Sequence, residues 1–268
     1  MGLRSFYKRL TGQSGPLVPV VRLQGVIAAD QRSGRLNIET VAPLLERAFA
    51  NKSAPAVAII INSPGGSPVQ SRLISKRIRD LADEHNKPVL VFVEDAAASG
   101  GYFIAVAGDE IIADPSSIVG SIGVIFAGFG FVEAIGKLGV ERRVHTAGKN
   151  KSTLDPFLPE KPEDVARINQ LELDIHKVFI DWVKLRRGDR LKGGDELFTG
   201  EFWSGVRGLD LGLVDAIGDL RQTLRERYGD KVELQLIQPK RSLFSLPRLG
   251  LAMLTEFEDR TVWARLGL

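Results

Sequence analysis

The chain has 268 residues with 36 basic and 33 acidic side chains, a formal net charge of +3. That length supports one large α/β core or a core with a small appendage, and the mixed charge excludes the concentrated basic surface of a nucleic-acid binder. No cysteine is present, so disulfides, thiolate chemistry and cysteine-rich zinc sites are excluded too.

The chain opens with MGLRSFYKRLTGQSGPLVPVVRL. It is basic and only partly apolar, without the roughly 7–15-residue apolar stretch of a secretory signal peptide. Residues 1–16 are therefore expected to be a flexible basic leader, either frayed or touching an anionic membrane surface. A first strand is expected at 17–27, a polar loop at 30–37, and a helix at 38–50 on which Val41, Leu44, Leu45 and Phe49 recur at helical spacing. Pro43 is expected near the first turn of that helix, where a missing N–H is tolerated. AVAIIIN at 56–62 is continuously apolar, as in a central strand covered on both faces. SPGG follows, then a helix at 69–85 with Leu73, Ile74, Ile78 and Leu81 along one stripe.

PVLVFVE at 88–94 predicts another buried strand, the Ser99 segment a helix, and EIIAD at 110–114 a further short strand. This alternation predicts an α/β fold with helices packed on parallel strands. PSSIVGSIGVIFAGFGFV at 115–132 is uncharged and approaches the roughly 20 residues of a membrane span. Its serines and glycines favour buried strands and turns instead. Residues 161–185 carry the strongest helix signal: Pro162 opens it, Glu163 and Asp164 suit its first turn, and Val165, Ile168, Leu171, Ile175, Val178, Phe179 and Trp182 share a face. Residues 208–220 read as a short helix, a turn, a strand and a turn. From Pro239 onward the leucines and Pro247 suit a short packed helix, a partner-binding tail or a membrane-surface element.

Ser99 stands before Gly100 and Gly101 where an apolar strand gives way to a helix. A serine hydroxyl needs a base to become a nucleophile. His85 ends a polar helix, His176 sits in the amphipathic one, and His145 is expected near a strand edge; none is placed beside Ser99 by the sequence. A lysine freed from water is the other candidate base. Lys149 and Lys151, in the irregular AGKNKSTLDPF segment, both qualify; the plain alternative is a solvated basic loop. Gly65 and Gly66 also follow a buried strand and precede a helix. Glycine pairs most often mark tight turns, but two pairs at successive strand ends can bring backbone N–H groups to a developing oxyanion, where ligands of α/β sheets bind.

NSPGG at 62–66, AAASGGYFIAVAGDEIIADPSSIVGSIGVI at 96–125, GKNKSTLDPF at 148–157 and LFTGEFWSGVRGLDLGLVDAIG at 197–218 resemble, in the same order, the signal peptide peptidase A family of serine–lysine peptidases and its SohB-like relatives. The resemblance spans most of residues 17–220 and implies the short, single-repeat form. It implies Ser99 as nucleophile, Lys151 rather than Lys149 as general base, Ser121 as the hydroxyl that orients the lysine, and the N–H groups of Gly66 and Gly100 as the oxyanion hole. It also implies a crotonase-like or Clp-peptidase-like fold over 17–225, an extension at 226–268, and apolar unfolded peptides, such as remnant signal peptides, as substrates. No metal or other cofactor is implied. A homo-oligomer is implied, with serine and lysine drawn from neighbouring subunits and the helix at 161–185 a candidate interface. No transmembrane helix is evident in the sequence, so a cytoplasmic or peripherally membrane-associated chain is expected. Two other classes compete: an acyl-thioester enzyme with a similar oxyanion hole, and a non-catalytic ring-forming scaffold.

Overall fold

One sheet of eight strands organises the computed structural model, which describes residues 15–30, 32, 34–239 and 259–268. The expectations for 1–14 and for 240–258 lie outside the described residues. The strands are β1 (Leu17–Gln24), β2 (Val57–Ser63), β3 (Val89–Ala98), β4 (Glu110–Ala113), β5 (Ile118–Gly120), β6 (Phe202–Ser204), β7 (Ala216–Ile217) and β8 (Glu233–Leu236). Their order is β6-β5-β3-β2-β1-β8, with β4 pairing β3 and β7 pairing β4. The helices are α1 (Ile38–Phe49), α2 (Pro68–His85), α3 (Gly100–Ala105), α4 (Val132–Lys137), α5 (Pro162–Arg187), α6 (Gly205–Asp210) and α7 (Leu220–Tyr228). This is an α/β fold with a mixed sheet and packed helices.

The continuous apolar run of β2 is buried at all seven positions, as a strand covered on both faces requires. Val21, Leu23, Ile59, Ile61, Val91 and Val93 point to one side and join a core with residues of α1, α2 and α3. Val18, Val20, Ala58, Ile60, Leu90 and Phe92 point to the other, where Leu224 of α7 covers them. Local chemistry sets the helix starts. Asn37 and Thr40 close a capping box on α1, and Ser67 caps α2 with Pro68 as its first residue.

The strand β3 forks. Residues 90–93 pair with β4 and residues 96–98 pair with β5. Against β2 the register passes from Ile61↔Val93 to Ser63↔Ala97, so Glu94, Asp95 and Ala96 oppose Asn62 alone. Such a bulge bends the strand and re-aims its side chains, and here it carries β3 four residues past its expected end, directly into Ser99.

Several expectations change. One strand, β6, runs antiparallel to β5, because the chain returns to that edge after the long excursion from 121 to 201. The first strand ends at Gln24, and Ile27 instead makes an isolated bridge to Gly66. Pro43 falls inside α1, beyond the first turn, on the exposed side. His145 lies in an irregular segment, not at a strand edge. On α5 the buried line is Phe179, Val183 and Arg187, because the helix meets the body only through its C-terminal half, where Phe179 and Trp182 lie against Phe103; Leu171 and Val178 are exposed. The uncharged stretch is buried only to Ile122. Beyond it Ile125 is 61% exposed and Phe129 80%. Residues 124–160 thus form an arm carrying apolar side chains into solvent. Among the described residues no helix is long and apolar enough to cross a membrane.

Candidate active site

The turns after β2 and β3 meet at the C-terminal edge of the sheet. Ser99 caps the N-terminus of α3 with φ 50° and ψ −119°. Its N–H donates to Gly120 O at 2.8 Å, and its carbonyl accepts from Phe103 N–H at 2.9 Å. The hydroxyl makes no capping bond and is partly exposed. The strand below and the helix above therefore fix the backbone and leave Oγ free. Gly65 (φ +105°) lies against it: a Cβ there would stand 2.8 Å from Ser99 Cβ and 2.9 Å from Gly100 N. Only glycine fits that approach.

Gly66 and Gly100 converge. A Cβ on Gly100 would lie 3.3 Å from Gly66 N. Ile27 uses its N–H on Gly65 O and its carbonyl on Ser67 N–H, each at 2.8 Å. This parallel bridge turns the N–H of Gly66 itself away from Ile27. Neither Gly66 N–H nor Gly100 N–H finds an acceptor among the described residues. Two unpaired backbone donors beside a free hydroxyl can hold a negatively charged oxygen formed by attack at a carbonyl.

Ser121 follows β5, one residue beyond the carbonyl that accepts the Ser99 N–H. It has φ 53°, and its N–H donates to Glu201 O at 2.7 Å. Lys151 lies elsewhere: it is exposed on the arm, and its Nζ makes no hydrogen bond or ion pair among the described residues. The turn carrying it is braced. Asp155 accepts from Phe157 N–H at 3.0 Å and from Arg142 Nη2 at 3.0 Å, bonds that hold its carboxyl below the usual carboxylate range. Phe131 packs its ring tilted against Phe157 and donates its N–H to Pro156 O at 2.6 Å. Lys149 is likewise exposed. Within one chain the structure thus brings Ser99, Ser121, Gly66 and Gly100 to one sheet edge and leaves both lysines on the arm.

The histidines are engaged otherwise. His176 Nε2 is 3.0 Å from Ile122 O, an acceptor that requires the proton on that nitrogen. His85 stacks on Phe49, and His145 is exposed on the arm. Sequence reasoning did not single out Asn62 or Asp95, whose side chains bond at 2.5 Å; the only mark of the bulge in the sequence is the acidic pair Glu94–Asp95 that interrupts the apolar strand.

The sequence profile of Peptidase family S49 matches residues 82–233. The chain belongs to Peptidase family S49. Similar curated proteins include "Protease 4" of Haemophilus influenzae, 34% identical over 216 residues, covering 78% of this chain and 34% of that protein. A Synechocystis sp. protein whose name includes the word protease is 31% identical over 230 residues, 83% of this chain and 79% of its own. A Brucella abortus protein named "Na(+)/H(+) antiporter NhaA" is 57% identical over 94% of this chain, yet the match takes in only 37% of that protein. The chain therefore spans little more than a third of that relative. Among solved structures, a variant of the 1510-N membrane-bound stomatin-specific protease covers 85% of this chain with TM-score 0.53 at 16% identity, a likeness of fold alone. The S49 profile begins within α2, so it includes Ser99, Ser121 and Lys151 but not the 62–66 turn.

Proposed function

We propose that this chain is a serine endopeptidase of apolar, unfolded peptides, with Ser99 as nucleophile and Lys151 as general base. The observation that supports it most is the pair of unpaired N–H groups of Gly66 and Gly100 beside the free Ser99 hydroxyl. Neutral Lys151 takes the Ser99 proton as Oγ attacks the peptide carbonyl. The Gly66 and Gly100 N–H groups hold the oxyanion, and Ser121 orients the lysine. The resulting ammonium protonates the leaving amine. Water, activated by the lysine once it is neutral again, then releases the acyl group. The peptidase unit is 17–225 on a crotonase-like or Clp-peptidase-like fold, with 226–268 an extension whose β8 pairs with β1. Nothing in this reading assigns ion transport to the chain.

A solvated lysine keeps its proton to about pH 10.4, and removal from water lowers that value. In a single chain Lys151 is exposed. A second copy that covers the arm supplies the missing desolvation and puts Lys151 beside a neighbour's Ser99. The exposed Ile125, Phe126, Phe129 and Leu138 suit burial in such an assembly. The test is hydrolysis of an apolar fluorogenic peptide panel by the wild type, Ser99→Ala and Lys151→Ala. Both variants are expected to lose at least about a thousandfold in kcat with unchanged oligomeric state. Turnover retained by Ser99→Ala overturns the reading.

A further inference from the structure

A cavity of about 660 Å³ opens at the C-terminal ends of β1, β2 and β3, walled in part by Gln24, Asn62, Asp95, Asp259 and Trp263. It does not include Ser99, Ser121 or the Gly66 and Gly100 donors, and the mechanism above makes no use of it. Asn62 is only 6% exposed. Its Nδ2 donates to Asp95 at 2.5 Å, while its Oδ1 has no partner. A buried acceptor left unpaired is costly and rare, and the residue that carries it lines this cavity.

The charges lining this cavity point the same way. Of the two aspartate carboxylates that wall it, Asp259 is held by Arg35 at 3.2 Å. The other, Asp95, is exposed and has no cationic partner among the described residues. Trp263 adds an aromatic ring, the other surface that attracts a cation. The bulge in β3 is what sets Asp95 over Asn62. An acceptor without a donor, a carboxylate without a cation and an indole in one cavity match an ammonium or guanidinium, which offers only donors.

We propose that this cavity binds a cationic side chain of the peptide substrate, a lysine or arginine set away from the scissile bond. The source of the cation rests on the peptidase reading; the cation site itself does not. The two sites are linked through residues 25–27. Gly25 borders the cavity and donates its N–H to Asn62 O at 3.0 Å, and Ile27 bonds to both flanks of Gly66. On this proposal one extended peptide runs along residues 25–27 from the serine to the cavity.

The test is binding to the full-length Ser99→Ala protein, so that hydrolysis plays no part. Acetylated and amidated apolar peptides carry one lysine moved through successive positions, each matched with norleucine and glutamate. At one or two positions lysine is expected to bind about tenfold more tightly than norleucine, and glutamate more weakly. Adding Asp95→Asn is expected to cut that ratio below about threefold, and Trp263→Leu, on a separate element, to lower it as well. The readout is a ratio within one protein, so partial unfolding does not mimic the effect. Equal binding of lysine and norleucine at every position overturns the proposal, as does a preference untouched by both substitutions or a failure of every peptide to bind. Free lysine amide that competes as well as the lysine peptide assigns the cavity to small amines and overturns the substrate assignment. If wild-type cleavage proves independent of Ser99 while the lysine preference stands, the peptidase mechanism fails and the cation site survives.

Discussion

Ser99 holds φ 50° and ψ −119°, a region that costs an L-residue about 1–3 kcal/mol and that glycine enters freely. The hydrogen bonds to Gly120 O and from Phe103 N–H keep it there. In that conformation the hydroxyl makes no capping bond to the helix. Ser99→Gly is therefore expected to abolish hydrolysis and to stabilise the fold by about 1 kcal/mol, after glycine's own entropy cost of about 0.5–1 kcal/mol is deducted. Ser99→Ala, which keeps the strain, is expected to leave stability within about 0.5 kcal/mol of the wild type. Urea unfolding of both variants measures this, and a Ser99→Gly protein no more stable than Ser99→Ala removes the strain argument. At this scale much was legible: two glycine pairs at successive strand ends suggested backbone donors, and the turns do meet. The choice between Lys149 and Lys151 was not legible from local chemistry, since both side chains stand in solvent. Only the resemblance over STLDPF separated them.

The helix α5 joins the arm to the body, and its last turn is the fastening point. Arg187 is 1% exposed at its side chain. It donates to both carboxylate oxygens of Asp215, at 2.7 and 2.9 Å, and to Gly212 O at 2.9 and 2.7 Å. Asp215 also accepts from Ile111 N–H at 2.7 Å, which ties the helix to β4. Burial pushes the Asp215 carboxyl up, but the Arg187 fork and the Ile111 N–H outweigh it and hold the group below its ordinary range. A carboxyl depressed on folding contributes stability above its unfolded value near pH 4, and that contribution is lost as pH falls through the lower folded value. Asp215→Asn leaves a buried guanidinium without its counter-ion, a change expected to cost about 3–5 kcal/mol at neutral pH. The difference from wild type is expected to shrink below about pH 4. Thermal melts of both proteins from pH 7 to pH 3 check it; an equal gap at every pH overturns the charge argument. Continuous apolar runs made the central strands easy to read in sequence. The three-residue β6 and the edge strand β8 lack such runs, and their positions come from pairing across long chain separations. The face of α5 was misjudged for a related reason: its pattern of apolar residues runs the whole helix, while only the C-terminal half meets this chain's own core.

For the whole molecule, the same mismatch bears on assembly. An apolar arm that leaves Ile125, Phe126, Phe129, Leu138 and Val140 exposed would be a poor surface for an isolated chain. It also carries Lys151, which the proposed chemistry requires out of water. The proposed arrangement answers both problems: neighbouring copies cover each other's arms, and each reaction centre takes Ser99 from one subunit and Lys151 from the next. A complementation experiment separates this from a site closed within one chain. Ser99→Ala and Lys151→Ala proteins, each inactive, are dissociated, mixed in equal amounts and reassembled. If the site is shared, random mixing pairs an intact serine with an intact lysine in about a quarter of the interfaces, and peptide cleavage returns to about that fraction of wild type. If serine and lysine act within one chain, no subunit in the mixture has both, and no activity returns however the subunits mix. The recovered rate should also depend on protein concentration, because dilution that dissociates the assembly separates Ser99 of one subunit from Lys151 of the next. Recovery that survives dilution to separated chains would contradict the shared site, since no separated chain contains a complete one.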